Sequence, residues 1–116
     1  MDKSILTEIK KMLGIPEEDT PFDVDIIIHI NTAISTLTQL GVGPKAGFSV
    51  IDKSNTWEEF VGSEDYVRFI AIKTYIYLKV KQVFDPPTNS AAIEAISNNI
   101  KELEWRLNIN AEEKGV

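Results

Sequence analysis

"FDPPTNSAAIEAI", residues 84–96, separates two stretches of helical periodicity, and its reading decides the fold. Proline lacks a backbone donor and its ring clashes with the preceding turn, so Pro86 and Pro87 end the helix that arrives through Lys81 and Phe84. The next helix must restart from a cap. Thr88, Asn89 and Ser90 all carry oxygens able to accept from the open amides of a new first turn. The doubled proline limits how freely the two helices swing, so Phe84, Asp85, Pro86 and Pro87 read as a fixed helix corner.

Upstream of the corner, a helix is predicted from about Ser63 to Phe84. Phe69, Ile72, Ile76, Val80 and Val83 lie on one side and Ile70, Tyr77 and Phe84 on another, which marks a central helix or one whose second face meets another subunit. Downstream, Ile93, Ile96, Ile100, Leu103 and Leu107 step by 3 and 4, a heptad seam suited to packing inside a small bundle. The stretch "NINAEEKGV" after it has no periodic stripe.

Two more helices precede these. In "SILTEIKKMLGIP", Ile5, Leu6, Ile9, Met12 and Leu13 share a stripe, Gly14 suits a left-handed closing position, Ile15 can fold back on Ile9, and Pro16 stops continuation. "TPFD" reads as a second start, with Thr20 as cap, Pro21 at the first helical position and Asp23 reaching back. Ile27, Ile30, Ile34 and Leu37 then form the inward stripe, widened by Ile26, Ala33 and Leu40, and Gly41 and Val42 repeat the closing pattern. Val42 to Asn55 reads as a long loop in which "FSVID" could be extended, and such loops are usually functional or mobile. Thr56 and Glu59 make a capping box around Trp57 and Phe60, a short helical turn ending at Gly62. The expected fold is all-α, a small bundle of four main helices plus a short helical turn, with a long loop between helices two and three. Residues 1–108 form the single domain and 109–116 a flexible tail.

The totals narrow the function. A chain of 116 residues with 43% apolar side chains can bury a core without staples, and the absence of cysteine removes disulfides, thiolate metal sites and thiol nucleophiles. Lys73, Lys79 and Lys81 interrupt the longest apolar stretch, so no membrane span is expected, and the N-terminus does not resemble a signal peptide. A formal net charge of −6 argues against generic binding to the phosphate backbone. His29 is the single histidine and stands among isoleucines, where a packed ring is the plain reading. Glu17, Glu18, Asp19, Asp23 and Asp25 do not follow an EF-hand spacing, and Gly41, Gly43 and Gly47 follow a helix rather than a strand. No catalytic, metal or cofactor site is therefore expected.

What remains are surfaces. Residues 16–25 hold five acids and no base, whereas Arg68, Lys73, Lys79 and Lys81 place bases on the third helix, a polarity that suits head-to-tail contact between identical copies or an intramolecular complement. Trp57 and Trp105 are each core or interface. Trp105 is the better interface candidate, because it leaves the fourth helix beside the seam without belonging to it.

With "YIYLKVKQVFDPPTNSAAIEAISNNIKELEWRL" placed, the chain resembles the small head-to-tail connector, or adaptor, proteins of long-tailed bacteriophages, also labelled DNA-packaging proteins. "YLKVKQVFDPP" and the helix ending "IKELEWRL" carry most of the likeness, and "INTAISTLTQLGVG" and "TWEEFVG" match the pattern upstream, over roughly residues 4–108. The resemblance implies a non-enzymatic helical subunit that forms a ring under the portal of a filled head, twelve-fold like the portal. It implies a DNA channel extended toward the tail or a stopper protein, with DNA passing through the lumen without specific binding. It places the protein at the head-tail junction of the virion, and in the bacterial cytoplasm during assembly. Trp105, Arg106, Leu107 and Asn108, with the tail beyond, would lie in the portal or neighbour contact, and the Phe84–Pro87 corner would aim the last helix away from the central one, toward a partner. The alternatives are a small helical DNA-binding or packaging regulator, which needs an exposed basic recognition helix, and an enzyme, for which only scattered carboxylates are available.

Overall fold

The computed structural model describes residues 3–62 and 66–113, with side chains through residue 109. Five helices follow one another: α1 (Ile5–Met12), α2 (Asp23–Gln39), the short α3 (Trp57–Val61), α4 (Tyr66–Phe84) and α5 (Ser90–Glu113). No strand occurs among the described residues, so "FSVID" stays irregular. Among the described residues the β-like contact is an isolated antiparallel bridge between Ser4 and Thr56, closed by the Ile5 amide on the Asn55 carbonyl and the Trp57 amide on the Lys3 carbonyl.

Local chemistry sets most helix ends. Ser4 caps α1 by accepting from the Thr7 amide at 3.1 Å. Both α1 and α2 close with a Schellman pattern, in which Ile15 N–H reaches the Lys10 carbonyl at 2.8 Å and Val42 N–H the Leu37 carbonyl at 2.9 Å. Gly14 and Gly41 supply the required left-handed residues, at φ 82° and 93°. The Thr56–Glu59 capping box forms with both of its hydrogen bonds. Asn89 Oδ1 accepts from the Ala91 and Ala92 amides and so caps α5.

The start of α2 differs from expectation. Helix begins at Asp23 with Phe22 at the cap and no side-chain cap bond, while Thr20 to Asp23 make a hydrogen-bonded turn. Asp23 is drawn elsewhere: its carboxylate lies 2.8 Å from Lys10 Nζ, a charge contact stronger than a neutral capping bond.

The core joins Ile5, Leu6 and Ile9 of α1, Ile26, Ile30, Ala33, Ile34 and Leu37 of α2, and Phe69, Ile72, Tyr75, Ile76 and Val80 of α4. α4 packs against α1, α2 and α5 and is the central helix, while α2 and α5 make little contact with each other. The Cα trace measures 41 × 35 × 22 Å, a slab with α4 in its middle. Met12, Val83 and Ile93, expected on inward stripes, stand exposed.

One expectation about the C-terminal part is corrected. α5 doubles back along α4, burying Ile100 and Leu107 against it, so the proline corner folds the last helix onto the central helix rather than away from it. The helix also continues to Glu113, five residues past Asn108, where the sequence suggests a loose tail. The expected start of the third helix near Ser63 lies outside the described residues.

Candidate functional site

The long loop is held by a side chain that the sequence does not announce. Asn31 Nδ2 donates to the Val50 carbonyl at 3.0 Å, and the Val50 amide donates to Asn31 Oδ1 at 2.8 Å. A side-chain amide thus pairs with a backbone residue as a neighbouring strand would. Val50 is buried beneath this clamp and Ile51 projects to solvent. Asn55 Oδ1 accepts from the Ile51 and Asp52 amides, and Asp52 accepts from Ser54. The Ser54 hydroxyl and amide hold the Asp52 carboxyl below its ordinary value. Phe48 stacks on Phe60 with centroids 5.2 Å apart. A loop of this length is therefore tied down at several points.

Recesses in the surface of the described residues include the following three. One of about 420 Å³ lies between the outer side of α2 and the loop, lined by Asn31, Ser35, Gln39, Gly47 and Phe48 among others. A second, of about 330 Å³, contains Lys10, Asp23, Ile27, Asp52 and Lys53. The third, of about 240 Å³, runs between α4 and α5 past Thr74, Leu78, Asn99 and Leu103.

Charge is largely satisfied inside the subunit. Lys10 is buried, donates to the Glu17 carbonyl at 3.0 Å and pairs with Asp23. Glu8 accepts from the Trp57 indole at 3.2 Å and from Lys73 at 3.1 Å, joining α1, α3 and α4. Lys73 also stands over the Phe69 ring, and Lys81 pairs with Asp85 across one turn. Arg68 is buried, and so does not lie on an open basic edge. Of the expected basic row, Lys79 alone has no ion pair among the described residues, so the intramolecular complement accounts for Lys73 and Lys81. Glu17, Glu18, Asp19 and Asp25 remain exposed, and no metal-holding group of three or more such side chains occurs among the described residues.

The C-terminal candidates separate by face. Trp105 is 65% exposed, Arg106 is exposed and pairs with Glu102 at 2.6 Å, Asn108 is partly buried, and Leu107 is 1% exposed and belongs to the core. Leu107 is therefore removed from the contact set, because its side chain is sealed against α4. Next to it, the Tyr75 hydroxyl donates to Glu104 Oε2 at 2.7 Å, and burial followed by this carboxylate holds the phenol well above its ordinary value. At the corner, Phe84 meets Phe22 edge to face at 5.6 Å. Pro86 is exposed and Pro87 partly buried.

Sequence reading missed Val24, Ile28 and Ile51, large aliphatics left outside the core stripes and open to solvent. Their signal was present: Val24 and Ile28 are one turn apart and opposite the buried stripe of α2.

Comparison with known families assigns the whole of this architecture. The family described as phage connector protein matches residues 5–114. The chain belongs to the phage connector protein family. No curated protein and no solved structure matches the connector. The matched span begins with α1 and ends beyond α5, so it takes in every helix and surface described above. No helix among the described residues is long and apolar enough to cross a membrane, and a structural head-to-tail role as a virion component follows from the family.

Proposed function

We propose that this connector is a structural virion assembly protein that forms a ring at the head-tail junction, docks on the portal, extends the DNA channel and seats the stopper or tail-completion protein after packaging. The observation that carries the reading is the family match across 5–114, which spans the folded domain rather than one motif. The exposed Trp105 with Arg106 and Asn108, and the helix end beyond them, are the portal or neighbour contact in this reading. A subunit of net charge −6 gives a lumen that lets DNA slide without gripping phosphates, so no sequence-specific binding and no reaction form part of the function. The protein acts in the virion and assembles in the bacterial cytoplasm. A twelve-fold ring would match the portal's symmetry.

The test mixes the purified full chain with portal assemblies of the same phage and follows co-sedimentation, alongside tail joining by heads that lack the connector. Association, together with tail joining that needs the connector, is expected. A chain that never associates, with heads that join tails without it, refutes the proposal. The regulator alternative requires an exposed basic recognition helix, whereas the lysine-bearing α4 is the central helix; salt-sensitive gel-shift binding would revive it.

A further inference from the structure

Large apolar side chains stand open on two different sides of this connector. On α2, Val24 and Ile28 are 70% and 54% exposed and point away from the stripe that packs on α4. The Asn31 clamp brings Val50 onto the same helix, and Asp52 and Lys53 line a recess with Asp23 and Ile27, so residues 50–53 run along the flank of α2. Ile51, 76% exposed, lies on this segment between Val50 and Asp52. On α5, Trp105 is 65% exposed and faces away from the buried Ile100 and Leu107, whereas the exposed Ile93 lies on their side of the helix. α2 and α5 flank α4 and barely touch, which puts the aliphatic cluster and the indole on different sides of the slab. Exposed clusters of this kind mark contact sites.

The charges beside them are complementary. Asp25 borders the aliphatic cluster, Lys101 lies one turn before Trp105, and neither has an ion pair among the described residues. A cation beside an indole meets an anion beside three aliphatic side chains. Two patches on different sides of one chain join head to tail, the heterologous mode that closes into a ring when the rotation between copies allows it. We infer that the occupant of the Val24, Ile28 and Ile51 surface is a second copy of this chain, presenting Trp105 with Lys101 opposite Asp25. This rests on the ring reading above and names the surfaces that meet. Charge complementarity would orient the encounter while the indole supplies most of the contact energy.

The connector has no cysteine, which allows a direct test. Asp25→Cys and Lys101→Cys chains are oxidised separately and as an equal mixture, both free and with portal assemblies. Mixed dimer is expected roughly 10-fold faster than either self-dimer, the scale of a local-concentration gain. Adding Trp105→Ala to the Lys101→Cys chain should weaken the association by about 30-fold, the loss typical of a central tryptophan. Self-dimers forming as fast as mixed dimer in both samples overturn the inference. Wild-type co-sedimentation with portal judges the ring reading separately, so a chain that binds portal without mixed cross-linking refutes only this pairing of surfaces.

Discussion

Replacing Asn31 with alanine should loosen the long loop before it loosens the bundle. The side chain makes two hydrogen bonds to Val50, at 3.0 and 2.8 Å, and their net value is about 0.5–1.5 kcal/mol each. Water can reach the partly exposed site and alanine favours helix by up to about 0.7 kcal/mol, so the expected loss is about 1.5 kcal/mol. For a domain of this size that lowers Tm by roughly 6 °C. The local consequence is larger than the global one, because the Val50 amide loses its one acceptor among the described residues. Exchange of that amide should quicken far more than exchange of the Ile72 or Ile76 amides in α4, and urea unfolding gives the global change in parallel.

A second substitution separates the two bonds. Asn31→Asp keeps an acceptor for the Val50 amide but turns a carboxylate oxygen toward the Val50 carbonyl, so at neutral pH it should be at least as damaging as alanine. Protonation restores a donor, which raises the folded-state pKa of the new carboxyl. Its stabilising contribution is then present below the unfolded value of about 4 and is lost as pH rises through the folded value. A Val50 amide that exchanges no faster in Asn31→Ala, with a stability change under about 0.5 kcal/mol, would refute the clamp.

Tyr75 makes the fold alkali-sensitive: its phenol is held above the ordinary value near 10, so its contribution is intact below that pH and declines as the unfolded state loses the proton first. Tyr75→Phe should cost about 1 kcal/mol at neutral pH and flatten the decline above pH 10, read by denaturant unfolding at stepped pH. The two tryptophans should behave oppositely: Trp57→Ala costs about 3–5 kcal/mol through cavity formation, whereas Trp105→Ala leaves monomer stability within about 0.5 kcal/mol, and iodide quenches only the Trp105 emission. Lys10→Met leaves Asp23 and the Glu17 carbonyl without their cation, and a double-mutant cycle with Asp23→Asn should return a coupling of at least about 0.5 kcal/mol.

Helix identity was legible wherever a local rule and the core stripe agreed. Gly14 with Ile15 and Gly41 with Val42 closed their helices as read, and Thr56 with Glu59 opened the short turn, because caps depend on residues within one turn. The start of α2 was misread for the opposite reason. Thr20, Pro21 and Asp23 satisfy a local pattern, but the pattern knows nothing of Lys10, thirteen residues earlier and buried between two helices. The partners of the basic row are hidden from a local reading in the same way. Arg68, Lys73 and Lys81 look like a basic row in one dimension, yet burial, Glu8 and Asp85 each engage one of them. Trp105 was read from its offset against the Leu103 and Leu107 seam, and that offset is a property of a single helix.

The doubled proline teaches why direction is harder to read than interruption. Pro86 and Pro87 end α4 at Phe84 by removing donors and crowding the previous turn, which any sequence window reveals. Where α5 goes next depends on its seam finding apolar surface, and the exposed faces on offer belong to the same chain: Ile100 and Leu107 are buried against α4, and Glu104 receives the Tyr75 hydroxyl. Folding back places that seam beside α4 without the entropy of meeting a second molecule, so an intramolecular partner prevails over an intermolecular one of similar chemistry. What α5 then offers to other molecules is its reverse side. Ile96, Ile100, Leu103 and Leu107 of its heptad seam are spent on the core, and the indole that sequence periodicity leaves over is the group we propose for assembly.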